Sequence, residues 1–157
     1  MSAKQTILCN PFPFIRLLAS FKILPPHSSR ILKIPFFTIS NGKLLVERNG
    51  TYEELLYDNE VVDCCELSEF LHQKFENIYV IDLDGIIKNT PQIHLLKKIF
   101  SFGNTWIDCG LRYADDGIDI FTAGASYVVL STKTIMDINE LDYALELSDN
   151  IIFCIDY

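Results

Sequence analysis

The first 46 residues contain no acidic side chain, although the whole chain carries 21 of them. Six basic residues (Lys4, Arg16, Lys22, Arg30, Lys33 and Lys43) occupy that stretch. All the carboxylates therefore fall in residues 47–157, where seven Lys and Arg leave a net charge of −14. An acidic body of this kind has no basic patch to hold a phosphate backbone, which excludes nucleic acid as its partner. The five cysteines (Cys9, Cys64, Cys65, Cys109 and Cys154) include no Cys-x-x-Cys pair. Nothing in their spacing argues for zinc or disulfides, and they read as reduced thiols of a cytoplasmic protein. Cys109 and Cys154 lie in apolar runs, where a thiol behaves as a small hydrophobe. No apolar run reaches the roughly 18 residues needed to span a bilayer, because Arg16 and Lys22 interrupt the one candidate. Low-complexity tracts are absent too.

What is present is a regular alternation. A chain of 157 residues that is 49% hydrophobic can bury one core. The stretch Tyr79-Val80-Ile81-Asp82-Leu83-Asp84-Gly85 is a short apolar run that ends in two carboxylates and a glycine. Trp106 to Arg112 repeats the scheme, ending in Asp108-Cys109-Gly110-Leu111-Arg112. Tyr127 to Thr132 ends in two hydroxyls, and Ile151 to Asp156 ends in a carboxylate. Buried parallel strands read as such runs, and their chemistry sits at their carboxyl ends. Strands are expected at about 33–39, 77–82, 105–109, 126–131 and 151–156. Helices are expected at about 61–75, from Thr90 as N-cap and Pro91 as first residue to Phe100, at 114–123 before Gly124, and at 137–147. A hairpin is expected around 43–53, with Asn49-Gly50 as its turn. Short connections between alternating strands and helices imply a parallel sheet with right-handed crossovers. The fold class is α/β, the N-terminal half of a (β/α)8 TIM barrel: about four βα units plus a fifth strand.

Asp82-Leu83-Asp84-Gly85, Cys109-Gly110-Leu111-Arg112, and Gly124-Ala125 leading to Ser131-Thr132 together resemble the histidine-biosynthesis barrel family. Ile34 to Lys43 resembles that family's first strand and the Asp-Gly-Lys turn after it. The family holds a HisA-type sugar-phosphate isomerase (ProFAR isomerase) and a HisF-type cyclase, and the Asp-Leu-Asp-Gly ending of strand two is closer to the isomerase. Asp108 with a threonine ending strand four also resembles a HisA-related branch linked to one-carbon, methanopterin-dependent metabolism. The resemblance covers residues 31–157. Residues 1–30 lie outside it, carry Pro11, Pro13, Pro25 and Pro26, and are expected to be a poorly ordered extension. Their two arginines and broken helical pattern make a poor transit peptide.

The resemblance implies an aldose-to-ketose isomerisation that needs a general acid at the ring oxygen and a general base at the neighbouring carbon. In the family these are aspartates ending strands one and five. Asp156 matches the second, while Thr38 stands in place of the first, and a hydroxyl is no base near neutral pH. Asp82 and Asp108 are the candidate substitutes. The family's phosphate contacts imply roles for Gly110, Arg112, Ser131 and Thr132, since bare amides at glycine turns bind anions. Asp108 and Cys109 stand where glycines are usual, and Ser131 replaces a fourth-strand glycine. Asp82, Asp84, Asp108 and Asp156 gather near one rim, and such clusters can hold hard cations. With no histidine at a strand end, no metal and no cofactor is expected, and Asp84 is assigned to capping a helix or holding a loop. The expected partners are a phosphorylated sugar-type small molecule and either the missing half-barrel or another copy, because a full barrel takes about 250 residues. The alternative is a catalytically silent barrel protein or fragment that binds a phosphorylated ligand or a partner half-barrel.

Overall fold

The computed structural model describes residues 6–8, 19–23 and 30–155. In chain order the strands are β1 (Thr6–Leu8), β2 (Ala19–Ile23), β3 (Arg30–Ile34), β4 (Phe36–Ser40), β5 (Lys43–Arg48), β6 (Thr51–Glu54), β7 (Leu56–Tyr57), β8 (Glu60–Val61), β9 (Asn77–Asp82), β10 (Asn104–Asp108), β11 (Tyr127–Ser131) and β12 (Ile151–Ile155). The helices are α1 (Cys64–His72), α2 (Leu83–Lys88), α3 (Ile93–Phe100), α4 (Asp116–Thr122) and α5 (Glu140–Leu147). An eight-stranded sheet runs β1-β12-β11-β10-β9-β4-β5-β6. Its middle is the expected half-barrel: β4, β9, β10, β11 and β12 are parallel neighbours in sequence order, with helices between them.

Side chains alternate across the pleat, so each strand feeds two separate apolar layers. Phe37, Ile39, Ile78, Val80, Ile107, Cys109, Val128 and Leu130 face the helices and pack with Leu71, Leu96, Ile99 and Ile120. The opposite face carries Ile34, Tyr79, Trp106, Val129, Ile152 and Cys154, with Phe36, Ile81 and Tyr127 beside them. In a closed barrel that second face lines the lumen. Tyr127 and Trp106 meet there with ring centroids 5.2 Å apart.

Several elements differ from the sequence expectation for local reasons. The first strand is broken at Pro35, which has no N–H to give a ladder, although its carbonyl accepts the Tyr79 N–H at 2.9 Å. The hairpin forms as expected, with Asn49 and Gly50 at φ 52° and 79°, as a two-residue primed turn requires. The first helix begins at Cys64 rather than 61, because the Asp63 carboxylate accepts the N–H groups of Cys65 and Glu66 and residues 60–61 belong to β8. The helix expected from Thr90 forms as α3, and a helix that the sequence reading did not place, α2, precedes it. Asp82 accepts the N–H groups of Asp84 and Gly85, so α2 starts directly at the strand end. Thr90 then turns its hydroxyl to the Asp84 carbonyl, and α3 opens two residues later than expected.

In an isolated half-barrel the first and fifth strands would stand at open edges. Each instead has a neighbour from outside the parallel set. β5 lies antiparallel to β4, and β1 lies parallel to β12. Among the described residues no helix is long and apolar enough to cross a membrane.

Candidate functional site at the strand ends

Thr38, Ile81 and Asp108 form one row across three adjacent strands. Thr38 is level with Ile81, and Ile81 is level with Asp108. Parallel neighbours in register share a face, and Ile81 belongs to the lumen layer. The row therefore puts Thr38 and Asp108 on the lumen side at the carboxyl ends of β4 and β10, two strand spacings or about 10 Å apart. Thr38 is buried, whereas Asp108 is partly exposed. One Asp108 oxygen accepts the Gly110 N–H at 3.1 Å, and the Tyr79 hydroxyl donates to the other across 3.5 Å.

Asp82 lies on the other side of the sheet, since its register partner is Ile39 of the helix layer. It is fully buried, and four donors converge on it. They are the N–H groups of Asp84 (3.0 Å), Gly85 (3.4 Å) and Gln92 (2.7 Å), and the Gln92 side-chain amide at 3.0 Å. A carboxylate so enclosed fixes the β9–α2 corner and is turned away from the lumen. Asp84 is also buried and joins that corner to the β4–β5 turn. It accepts Ser40 Oγ at 3.0 Å, Asn41 N–H at 2.6 Å and Lys88 Nζ at 2.7 Å. The Lys88 ammonium, then the Asn41 amide, hold the Asp84 carboxyl below the usual carboxylate range. Asp82 thus caps the helix and Asp84 holds the loop.

The glycines of both motifs are there for contact. A Cβ on Gly85 would stand 2.3 Å from the Cys109 carbonyl oxygen. One on Gly110, at φ +70°, would stand 2.5 Å from Ile86 Cα. So α2 sits directly on the loop after β10. Arg112 locks that contact: its guanidinium donates to the Gly110 carbonyl and, at 2.6 Å, to the Ile86 carbonyl. The main chain of Arg112 and Tyr113 donates to Asp116.

At the end of β11, buried Ser131 accepts the Lys133 N–H at 3.1 Å, and the Thr132 N–H continues the ladder to the Cys154 carbonyl at 3.0 Å. Ser131 and Cys154 are register partners, which sets them next to each other across β11 and β12. Asp156 lies outside the described residues. Burial, helped by the neighbouring Asp108, pushes the Cys109 thiol up, so it is no nucleophile near neutral pH. Among the described residues no cluster of three His, Cys, Asp or Glu side chains is arranged to hold a metal ion.

Three participants escaped the sequence reading. Gln92 bridges Asp82 to the Gly42 N–H, which its side-chain oxygen accepts at 2.6 Å. Ser40 reaches Asp84, and Tyr79 reaches Asp108. Only Tyr79 carried a signal, its position two residues before Ile81 on the same strand face. Short helix α2 also had one, an aspartate two residues before the Asp84-Gly85 pair that can cap it.

A comparison with curated proteins gives no match. Residues 33–157 match the family model described as Histidine biosynthesis protein. The match takes in every parallel strand from β4 to β12 and all five helices, and the chain belongs to that histidine biosynthesis protein family of barrels.

Proposed function

We propose that this chain supplies one half of a barrel that performs acid–base chemistry on a phosphorylated sugar-type small molecule, with Asp108 as general base and Asp156 as general acid. The row Thr38–Ile81–Asp108 carries the reading. Thr38 cannot serve as a carboxylate base, and Asp82 and Asp84 are committed to main-chain donors at the β9–α2 corner. Asp108 has the right face, the right end of its strand and partial exposure. The substrate phosphate would meet Gly110, Arg112, Ser131 and Thr132. To use the Gly110 N–H it must take that donor from Asp108, and the loss of that donor together with the nearby anion would raise the proton affinity of the carboxylate.

A second reading has its own support. The Gly110 amide already serves Asp108, and the Arg112 guanidinium is engaged by two carbonyls. That pattern suits a diverged, catalytically silent relative of the isomerase that binds a phosphorylated ligand or a partner half-barrel.

Turnover of ProFAR with the remaining half-barrel supplied separates the two. A general base typically contributes about 10²–10⁴-fold. On the first reading Asp108→Asn and Asp156→Asn each lower the rate by about that factor, while Thr38→Asp raises it. Turnover that survives Asp108→Asn removes the base from β10. A wild-type protein that is inactive, yet shows phosphate-dependent shifts of the Gly110 and Thr132 amides by NMR, establishes the silent reading.

A further inference from the structure

The edge of β12 is where a sixth barrel strand would add, and it is already taken. β1 pairs with it in parallel, Thr6 level with Phe153, Ile7 with Cys154 and Leu8 with Ile155. Strands neighbouring in space are usually neighbours in sequence, and here they come from opposite ends of the chain. The polarity is the one a following βα unit would deliver.

The path of the chain continues the closure. β1 contacts β2, β2 pairs antiparallel with β3, and β3 contacts β9 before running through Pro35 into β4. Residues that begin at the fifth barrel strand thus return to the first. Ile34, the last residue of β3, is 1% exposed inside the lumen layer, with Tyr79, Trp106, Val129, Ile152 and Cys154. Charge favours the same docking. The first 46 residues carry six bases and no acid, and the remainder has a net charge of −14.

We propose that the N-terminal segment of this chain takes the place of a sixth barrel strand. It adds β1 to the edge of β12, keeps the half-barrel monomeric, and must be displaced before a second half-barrel can pair there. An uncovered parallel edge is a template for another chain, and β1 removes that template from within. The opposite barrel edge, β4, is covered by β5, its antiparallel hairpin neighbour.

The register supplies the test. Adjacent strands lie about 4.8 Å apart, within the roughly 4.4–6.8 Å Cα separation of disulfides. Ile7→Cys, made in the full chain with Cys9→Ser, should on mild oxidation join position 7 to Cys154 within a single chain. Peptide mapping and a monomer band on a non-reducing gel read that outcome. A dimer linked from position 7 of one copy to Cys154 of another shows strand exchange and overturns the intramolecular assignment, and so does a soluble, folded variant with no link. Deletion of residues 1–10 provides a second arm. It should convert a sedimenting monomer into dimers or larger species and raise amide exchange in β12 at least tenfold. A truncated chain that stays monomeric, with β12 still protected, overturns the proposal whatever the cross-linking gives. The electrostatic share appears as faster β12 exchange in the intact chain as salt rises, since surface charges are screened beyond about 8 Å at physiological ionic strength.

Discussion

The corner between β9 and α2 and the rim at the end of β10 each pair a strand-ending aspartate with a nearby glycine. They serve opposite purposes because they lie on opposite faces of the sheet. Asp82 pairs in register with helix-facing Ile39, while Asp108 pairs with lumen-side Ile81. At the corner, main-chain donors converge on carboxylates that are shut away from solvent. At the rim, Asp108 is partly exposed, and its contacts include the Gly110 amide and the Tyr79 hydroxyl. The most recognisable motif of the chain is thus a folding device, and the partly exposed carboxylate of Asp108 stands one strand away on the other side.

The sharpest way to break this contrast is to remove the two carboxylates in turn. Asp82→Ala leaves at least two buried donors without a partner, at about 1–3 kcal/mol each. The expected loss is about 3 kcal/mol or more in urea denaturation. Asp108→Asn, with a partly exposed side chain, should cost less than about 1 kcal/mol. Equal losses at the two positions would erase the distinction between a structural corner and a functional rim.

Next in size are the glycines. Gly85→Ala drives a methyl group against the backbone oxygen of Cys109 and should cost about 1–3 kcal/mol as overpacking. Gly117 in α4 is the control: its added Cβ meets Leu111 Cδ1 at an ordinary 3.5 Å. Gly117→Ala should be neutral or stabilising by up to about 1 kcal/mol, because alanine suits a helix interior better. A tolerated Gly85→Ala would mean that α2 does not press on the loop after β10.

A smaller effect is set by pH. The folded-state pKa of Asp84 is lowered, first by Lys88 and then by the Asn41 amide. Its ionised form therefore contributes stability that is fully present above the unfolded carboxylate value of about 4 and is lost as pH falls through the lower folded value. Asp84→Asn should be less stable than wild type at pH 7, and the two should converge as pH falls below about 4. Thermal melts across that range check it. A gap that persists in acid would assign the loss to shape rather than charge.

Much of the architecture was legible because apolar runs and their punctuation are local. The strand at 77–82 and the hairpin turn at Asn49-Gly50 follow from side-chain period and turn chemistry alone. Helix starts were less legible. A cap is decided by which carboxylate reaches the free amides, and Asp82 captured α2 and Gln92 before Thr90 could act. The rim aspartates looked equivalent in sequence, since both Asp82 and Asp108 end a strand.

Composition and periodicity by themselves determined an α/β chain of parallel strands, with its polar groups at the strand ends and its charge divided between a basic N-terminal stretch and an acidic remainder. These are properties of short segments, which the side-chain period and the glycine and proline positions specify without reference to the rest of the chain. Only the tertiary structure decided which aspartate faces the lumen, that Gln92 bridges two loops, and that β1 pairs with β12. Each of these depends on strand register and on contacts between residues tens to more than a hundred positions apart. Register selects the face of every side chain along a strand, and a shift of one residue reverses it.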